Sequence, residues 1–258
     1  MSVTAAPAPW AHGRPETARF AGLSLDRAEA LRYAGHAGQR MDGGLRARFD
    51  ELADACERTL RPAGVWAVFP VAGGGGIGAP EAGRPDARVE LAGCGLALPG
   101  ADISRHLEGA REVALMACTL GAQSERELRK HAALGPVDAL LYGAAASALV
   151  EAAADAMEAL VVEQAAARGL RAGFRYSPGY GDLPLSVQPA LVDALDAARR
   201  IGLAVTEAHV LVPAKSVTAV IGLFDADAPA PQARSACETC QLRERCPLRE
   251  RGTTCHGS

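Results

Sequence analysis

An eleven-residue segment, from Arg175 to Leu185, has the residue types of a small-molecule site. It holds two prolines, two glycines and two tyrosines between segments that are both predicted to be helical. The prolines disfavour helix for the residues before them, and the glycines allow positive φ or a close approach to a ligand. The guanidinium of Arg175 suits a carboxylate or a phosphate. A tight turn between two elements is the alternative explanation of the same composition.

Four of the seven cysteines form a second chemical cluster within the last 22 residues. They are Cys237, Cys240, Cys246 and Cys255. Four thiols so closely spaced predict a metal site. They suit zinc in a closed tetrahedral site, and equally a [4Fe–4S] cluster, since Pro247 after Cys246 resembles the Cys-Pro ending of bacterial ferredoxin motifs. The spacing leaves both open, and His256 in place of Cys255 also stays possible.

The remaining cysteines, Cys56, Cys94 and Cys118, lie in apolar surroundings. We predict that they are core residues, because free cysteine behaves as a small hydrophobic side chain. A nucleophilic role for Cys118 is the alternative, although no neighbouring histidine pattern accompanies it.

The composition is that of an ordinary globular protein, with 49% hydrophobic and 22% charged residues among 258. A net charge of −3 gives no reason to expect nucleic acid or an anionic membrane as a partner. The most apolar stretch, residues 139–162, contains three acidic residues and predicts a buried helix rather than a membrane span. Residues 1–15 lack a signal-peptide pattern. We therefore expect a cytoplasmic protein, in which disulfides are not expected.

Helical and strand signals occur in runs rather than in strict alternation. Helices are predicted within 23–60, from 124, over 136–169 and over 187–201; strands are predicted at 65–71, 89–98, 113–120, 203–212 and 216–224. This order predicts an α+β fold with a mixed, partly antiparallel sheet and flanking helices. We divide the chain into a loose lead-in (1–20), a main domain (21–225), a linker (226–236) and a Cys-rich metal-binding tail (237–258).

Several segments, in the same order, resemble the activation domain of cobalamin-dependent methionine synthase. Arg175–Tyr180 is similar to its Arg-x-x-Pro-Gly-Tyr loop, and the Leu-Val-Glu-Ala run at 149–152 to a run on its long helix. Residues 201–207 and 213–222 resemble its next segments, the second being similar to its Pro-x-x-Ser-Val-Ser-Gly strand. The resemblance is strongest to free-standing activation subunits, which carry Pro-Gly-Tyr-Gly-Asp-Leu-Pro-Leu and Pro-x-Lys-Ser-Val and often end in a cysteine cluster.

The resemblance implies a fold, a reaction and a ligand. The activation domain holds S-adenosylmethionine over oxidised cob(II)alamin, which gains an electron and then the methyl group. By resemblance Arg175 binds the ligand's carboxylate and Glu151 faces its ammonium. Ser177 and Gly179 supply backbone contacts, and Tyr180 shapes the pocket.

The chain also departs from the family. Ile221 stands at or near the position of a ligand-contacting tyrosine, and no cobalamin-binding Asp-x-His-x-x-Gly motif is present. We therefore expect cobalamin on a partner, so that the chain reactivates a methionine synthase in trans, with the electron supplied by a tail cluster or a low-potential donor. The alternatives are a non-catalytic docking module with a structural metal tail and an activator of another corrinoid methyltransferase system.

Overall fold

The structure is a computed structural model that describes residues 10–72 and 87–227, together with residue 244. The four tail cysteines, Cys237, Cys240, Cys246 and Cys255, lie outside these residues, as does most of the predicted linker. The metal-binding tail therefore remains a prediction from the sequence.

Nine strands and seven helices occupy the described ranges. The strands are β1 (Glu16–Arg19), β2 (Ala63–Pro70), β3 (Arg88–Glu90), β4 (Ala97–Pro99), β5 (Glu112–Thr119), β6 (Leu170–Ala172), β7 (Ala204–Val205), β8 (Leu211–Val212) and β9 (Ser216–Asp225). The helices are α1 (Arg27–Tyr33), α2 (Gly43–Thr59), α3 (Ala101–His106), α4 (Ala122–Leu134), α5 (Pro136–Ala166), α6 (Gln188–Ala194) and α7 (Ala197–Ile201).

A five-stranded sheet in the order β1-β2-β5-β9-β6 forms the centre of the fold, and each neighbouring pair is antiparallel. The two short hairpins, β3–β4 and β7–β8, lie outside it. Strands β2, β5 and β9 are buried on both faces along most of their length, which explains why their sequences are continuous apolar runs. The predicted α+β class with an antiparallel sheet is confirmed.

Helix α5 packs closely on one face of the sheet. Its Ala153, Ala154 and Met157 are fully buried against the sheet. A Cβ at Gly64 of β2 would overlap the Met157 side chain and lie 3.2 Å from the Cys118 Sγ. Small residues on both surfaces are therefore what allows the helix to lie so near the strands.

Two further layers complete the core. Helices α3, α6 and α7 cover the opposite face of the sheet with Ile103, Leu107, Leu191 and Leu195. Helices α1 and α2 pack against the first half of α5, where Phe49, Tyr142 and Leu149 are among the buried residues. The described part of the chain contains no helix that is long and apolar enough to cross a membrane.

Local turn chemistry overrides several of the predicted boundaries. Within the range 23–60, which was predicted to be helical, the glycines at 43 and 44 begin α2, because the Asp42 side chain accepts a hydrogen bond from the Gly44 N–H at 2.9 Å. The strand predicted over 89–98 is the β3–β4 hairpin, which turns through Gly93 and Gly95, both at positive φ.

The C-terminal half differs from the prediction in a similar way. The helix predicted over 187–201 is divided into α6 and α7 by Asp196, whose φ is 50°. The strand predicted over 203–212 is the short β7–β8 hairpin. The lead-in predicted over 1–20 is not loose throughout, since Glu16–Arg19 pairs with β2 as an edge strand.

The close helix–sheet contact predicts a strong dependence on Met157. Met157→Ala removes a fully buried side chain and should lower the free energy of unfolding by about 2–5 kcal/mol. Val162→Ala, on the same helix but 43% exposed, should change it by less than about 1 kcal/mol. Denaturant unfolding measures both, and equal effects would contradict the assignment of this contact as the centre of the core.

Candidate functional site

The segment Arg175–Leu185 leaves the edge of the sheet and folds back on itself as two turns. Tyr176 forms a single bridge with Val220 of β9, with both backbone hydrogen bonds at 2.9 Å. The N–H of Tyr180 donates to the carbonyl of Ser177 at 3.1 Å, and that of Gly179 donates to Leu183 at 2.8 Å. The two backbone groups expected to contact a ligand, those of Ser177 and Gly179, are therefore partly used within the loop itself.

Asp182 fastens this loop to the N-terminus of α3. Its carboxylate accepts hydrogen bonds from the backbone N–H groups of Ala101, at 2.6 Å, and Asp102, at 3.0 Å. Gly100 is the N-cap residue of this helix, and the capping carboxylate comes from 81 residues away along the chain. Gly181, at φ 50°, has no room for a Cβ beside Tyr176 and Asp102.

Arg175 makes ion pairs with three carboxylates on α5. Its Nη2 lies 3.0 Å from Glu151 Oε2 and its Nη1 lies 2.7 Å from Glu158 Oε2, while Asp155 pairs with Nη1 as well. Its backbone N–H donates to Glu158 Oε1 at 2.9 Å. The acids are at positions i, i+4 and i+7, which place them on one face of the helix. The structure therefore brings together Arg175 and Glu151, the two charged residues predicted for the site.

These pairs keep the guanidinium fully charged in a half-buried position. Burial lowers the pKa of Arg175, but its hydrogen bonds with Asp155 and Glu158 outweigh that effect and raise it overall. The three acids also neutralise the positive charge of Arg175. The resemblance had implied that this charge binds the carboxylate of a ligand. The spacing of Glu151, Asp155 and Glu158 was a visible signal for this arrangement.

Tyr33 of α1 lies close enough to Glu151 for the charge of this carboxylate to act on its phenol. Its hydroxyl donates to Glu29 Oε1 at 2.7 Å. Burial, the hydrogen bond to Glu29, and the charges of Glu29 and Glu151 raise the pKa of this phenol, so it stays protonated. Tyr33 is 38% exposed and was not predicted as part of the site.

An aromatic row extends from the loop toward solvent. The ring centroids of Phe174 and His106 are 4.3 Å apart, those of His106 and Tyr176 5.0 Å, and those of Tyr176 and Tyr180 6.1 Å. Phe174 and Tyr180, the two ends, are 53% and 56% exposed. The predicted pocket residue Tyr180 is therefore an exposed ring supported by neighbours.

His106 is neutral in this row. Burial lowers its pKa to about 4, and its Nε2 lies 3.0 Å from the Phe174 carbonyl oxygen, to which a neutral ring can donate. No pattern around His106 or Phe174 in the sequence indicated that the two would meet, since they are 68 residues apart.

Lys215, which directly precedes β9, contacts α5 at Ser147, one helical turn before Glu151. Its Nζ is 2.8 Å from the Ser147 Oγ, and Ser147 and Glu151 are four residues apart on the same helix face. From the sequence, Lys215 was identified only as part of the Pro-x-Lys-Ser-Val motif. It is half-buried, and burial lowers the pKa of its ammonium.

Ile221 and the three core cysteines behave as apolar residues. Ile221 is fully buried between the sheet and α5, so this position offers no polar contact. Cys56 and Cys118 are also fully buried and Cys94 is partly buried. Burial raises the pKa of Cys118 to about 12, which leaves it a protonated thiol and not a nucleophile. In the described ranges, no three His, Cys, Asp or Glu side chains are arranged to hold a metal ion.

Comparison with solved structures confirms the predicted fold. The chain is similar to the protein in "Crystal Structure of the MetH Reactivation Domain bound to AdoHcy", with a TM-score of 0.59 and 15% sequence identity over 96% of this chain and 88% of that one. At this identity the similarity establishes the fold alone. No protein-family model matches the sequence, and no curated protein matches it.

The cap supplied by Asp182 predicts a local change in stability. Asp182→Ala leaves two N–H groups of α3 without their acceptor and should lower the free energy of unfolding by about 0.5–2 kcal/mol. Hydrogen exchange should also become faster for the amides of Gly179 and Leu183. Asp193→Ala, at an exposed position on α6, should do neither; matching effects of the two variants would argue against the anchoring role.

Proposed function

We propose that this chain, which has the fold of the methionine synthase activation domain, reactivates a cobalamin-dependent methionine synthase in trans. It would present S-adenosylmethionine to cob(II)alamin that is carried by the partner. The observation that supports this most directly is the contact between Glu151 and Arg175, because two motifs that resemble the family from separate parts of the chain meet at one point.

The site has the charges that S-adenosylmethionine requires. This ligand carries an ammonium, a sulfonium and a carboxylate, so its binding site needs both anionic and cationic groups. Glu151 offers a carboxylate that is 35% exposed, with a tyrosine hydroxyl nearby, and Tyr180 lies exposed at the surface of the adjoining loop. The structurally similar reactivation domain was crystallised with AdoHcy, the molecule that remains when S-adenosylmethionine loses its methyl group.

The proposed reaction transfers one electron and one methyl cation to the partner's cobalamin. The partner's cob(II)alamin gains one electron from a low-potential donor and then a methyl cation from S-adenosylmethionine. The methyl–sulfur bond breaks with its electron pair left on sulfur, which yields AdoHcy. The residues of this chain bind and orient the ligand, and its exposed aromatic row, with Phe174 and Tyr180 at the ends, faces the partner.

Removal of the guanidinium should weaken ligand binding. Arg175→Ala leaves Glu151, Asp155 and Glu158 without their cation, so the carboxylates repel one another and the site loses its arrangement. Calorimetry with S-adenosylmethionine should detect at least a tenfold loss of affinity, and the methylcobalamin formed from a cob(II)alamin-loaded synthase and reductant should fall in parallel.

Arg199→Ala is the matched control, because Arg199 is 76% exposed and, among the described residues, forms its ion pair with Asp196 at the start of its own helix. It should leave binding unchanged. Normal binding and reactivation by the Arg175 variant, with the protein folded, would disprove the assignment of this site.

The tail is proposed to carry a [4Fe–4S] cluster or zinc on Cys237, Cys240, Cys246 and Cys255. A cluster could supply the electron, since the reduction potentials of such clusters extend down to about −700 mV.

Cys237→Ser with Cys240→Ser should remove the metal and end reactivation driven through the tail, while circular dichroism of the main domain stays unchanged. Iron, sulfide and zinc analysis of anaerobically purified protein distinguishes the metals, and reactivation that persists after metal loss would rule out the cluster as electron source.

A second candidate, a docking module that binds a corrinoid protein without presenting a ligand, is favoured by one observation. The position expected to hold a ligand-contacting tyrosine is the buried, apolar Ile221. In that case neither the free protein nor its complex should bind S-adenosylmethionine. Activation of another corrinoid methyltransferase system is a third candidate, and reactivation assays with different corrinoid partners would distinguish it.

A further inference from the structure

A row of polar side chains extends along one face of α5. Its members are Ser147, Glu151, Asp155 and Glu158, and we call them the α5 row. They follow one another by three or four residues and therefore share one face. A cation from outside the helix contacts each end of the row: Arg175 meets the three acids, and Lys215 meets Ser147.

The Arg175 end of the row is anionic in spite of the guanidinium. One positive charge faces three carboxylates, which leaves a net charge of −2. A ligand carboxylate that approached Arg175 would meet three like charges at close range, and like charges disfavour each other. A ligand ammonium would instead be attracted to Glu151, whose side chain is 35% exposed.

Lys215 has the opposite character. Ser147 donates its single hydroxyl hydrogen to the Gly143 carbonyl at 3.0 Å, so it accepts from the Lys215 ammonium at 2.8 Å. In the part of the chain that the structure describes, Ser147 is the only hydrogen-bond partner of Nζ, and no carboxylate lies within ion-pair distance, although the charge of Glu125 acts on the ammonium from farther away. An ammonium has three donors, and two of them are therefore left for a ligand.

The backbone around Lys215 is held in place from several sides. The N–H of Ala214 donates to Glu125 Oε1 at 2.7 Å, and the Lys215 carbonyl accepts from the Leu120 N–H at 3.0 Å. The Ser216 hydroxyl donates to Thr119 Oγ1 at 2.8 Å. Partial burial makes the unpaired ammonium more costly and an anionic partner more favourable.

We propose that Lys215 contacts the carboxylate of the amino-acid part of S-adenosylmethionine, and that Arg175 is a positioning residue that holds Glu151 for the ligand's ammonium. Ser147 and Glu151 are four residues apart, about one helical turn, which is about 6 Å along the axis. This separation is short enough for a ligand that carries an ammonium and a carboxylate on the same carbon to contact Glu151 with the first and Lys215 with the second. The inference rests on the proposed function and assigns the carboxylate of its ligand.

A comparison of two ligands tests the assignment. S-adenosylmethionine and its decarboxylated form differ only in the carboxylate, and calorimetry on the full chain measures both. Lys215→Met should weaken binding of S-adenosylmethionine by about 10- to 100-fold, the range of a hydrogen bond to a charged group, and should leave binding of the decarboxylated form unchanged. Arg175→Gln should weaken both ligands by the same factor, because it acts through Glu151.

Three further variants serve as controls. Lys130→Met changes the only other lysine, which is 66% exposed on α4, and should affect neither ligand. Lys215→Arg keeps the charge and should retain most of the selectivity for the carboxylated ligand. Ser147→Ala loosens the ammonium without removing it, so it should weaken only the carboxylated ligand, and it carries the test if Lys215→Met does not fold.

The opposite pattern would overturn the inference while leaving the proposed function intact. If Arg175→Gln weakens only S-adenosylmethionine and Lys215→Met affects neither ligand, the carboxylate belongs to Arg175. If Lys215→Met or Ser147→Ala weakens both ligands alike, the lysine has a structural role only. If the wild-type chain binds neither ligand, the proposed function fails and this inference fails with it.

Discussion

The close approach of α5 to the central sheet determines the rest of the structure. It depends on small side chains where the helix crosses β2 and β5, among them Gly64, where a Cβ would overlap the terminal methyl of Met157 and crowd Cys118. Because the helix lies so near the strands, the acids on its exposed side stand at the edge of the sheet, where Arg175 can reach them. The ion pairs are thus a consequence of apolar packing, which is stronger and less sensitive to salt than the ion pairs themselves.

The ion pairs of Arg175 cost solvation energy, but they also fix the geometry of the site. Bringing Arg175 and Glu158 partly out of water costs solvation energy, and such pairs often contribute little net stability. They do fix geometry, however, because the guanidinium bonds Glu151, Asp155 and Glu158 at once. A site that must present one carboxylate in a defined position benefits from this fixed geometry, even where the ion pairs add nothing to the stability of the fold.

Sequence patterns were sufficient for the long elements and insufficient for the short ones. The apolar runs of β2, β5 and β9 and the span of α5 from Pro136 follow from burial on both faces and from helix-start signals. The two hairpins were missed because their strands have only two or three residues, so turn geometry decides them and not periodicity. The helix start at Gly43 was missed because the capping effect of Asp42 outweighs the low helix propensity of glycine.

For the site, the residue-by-residue resemblance found Glu151, Arg175 and the loop, but not their companions. Lys215, His106 and Tyr33 come from separate elements and meet this region only through tertiary packing. The charge state of the site was likewise not visible. From the sequence alone, an arginine in a loop is expected to have free hydrogen-bond donors. In the fold, three carboxylates accept from Arg175.

The bridge between Tyr176 and Val220 has a consequence for the solubility of the protein. Beyond the three residues of β6, residues 173–176 cover the outer edge of β9: the Gly173 N–H donates to the Gly222 carbonyl, and Tyr176 exchanges two hydrogen bonds with Val220. An uncovered strand edge is one on which a second chain can add as a strand. The loop that lines the candidate site occupies that edge. Variants that loosen the loop would therefore uncover this edge and promote association between copies of the chain.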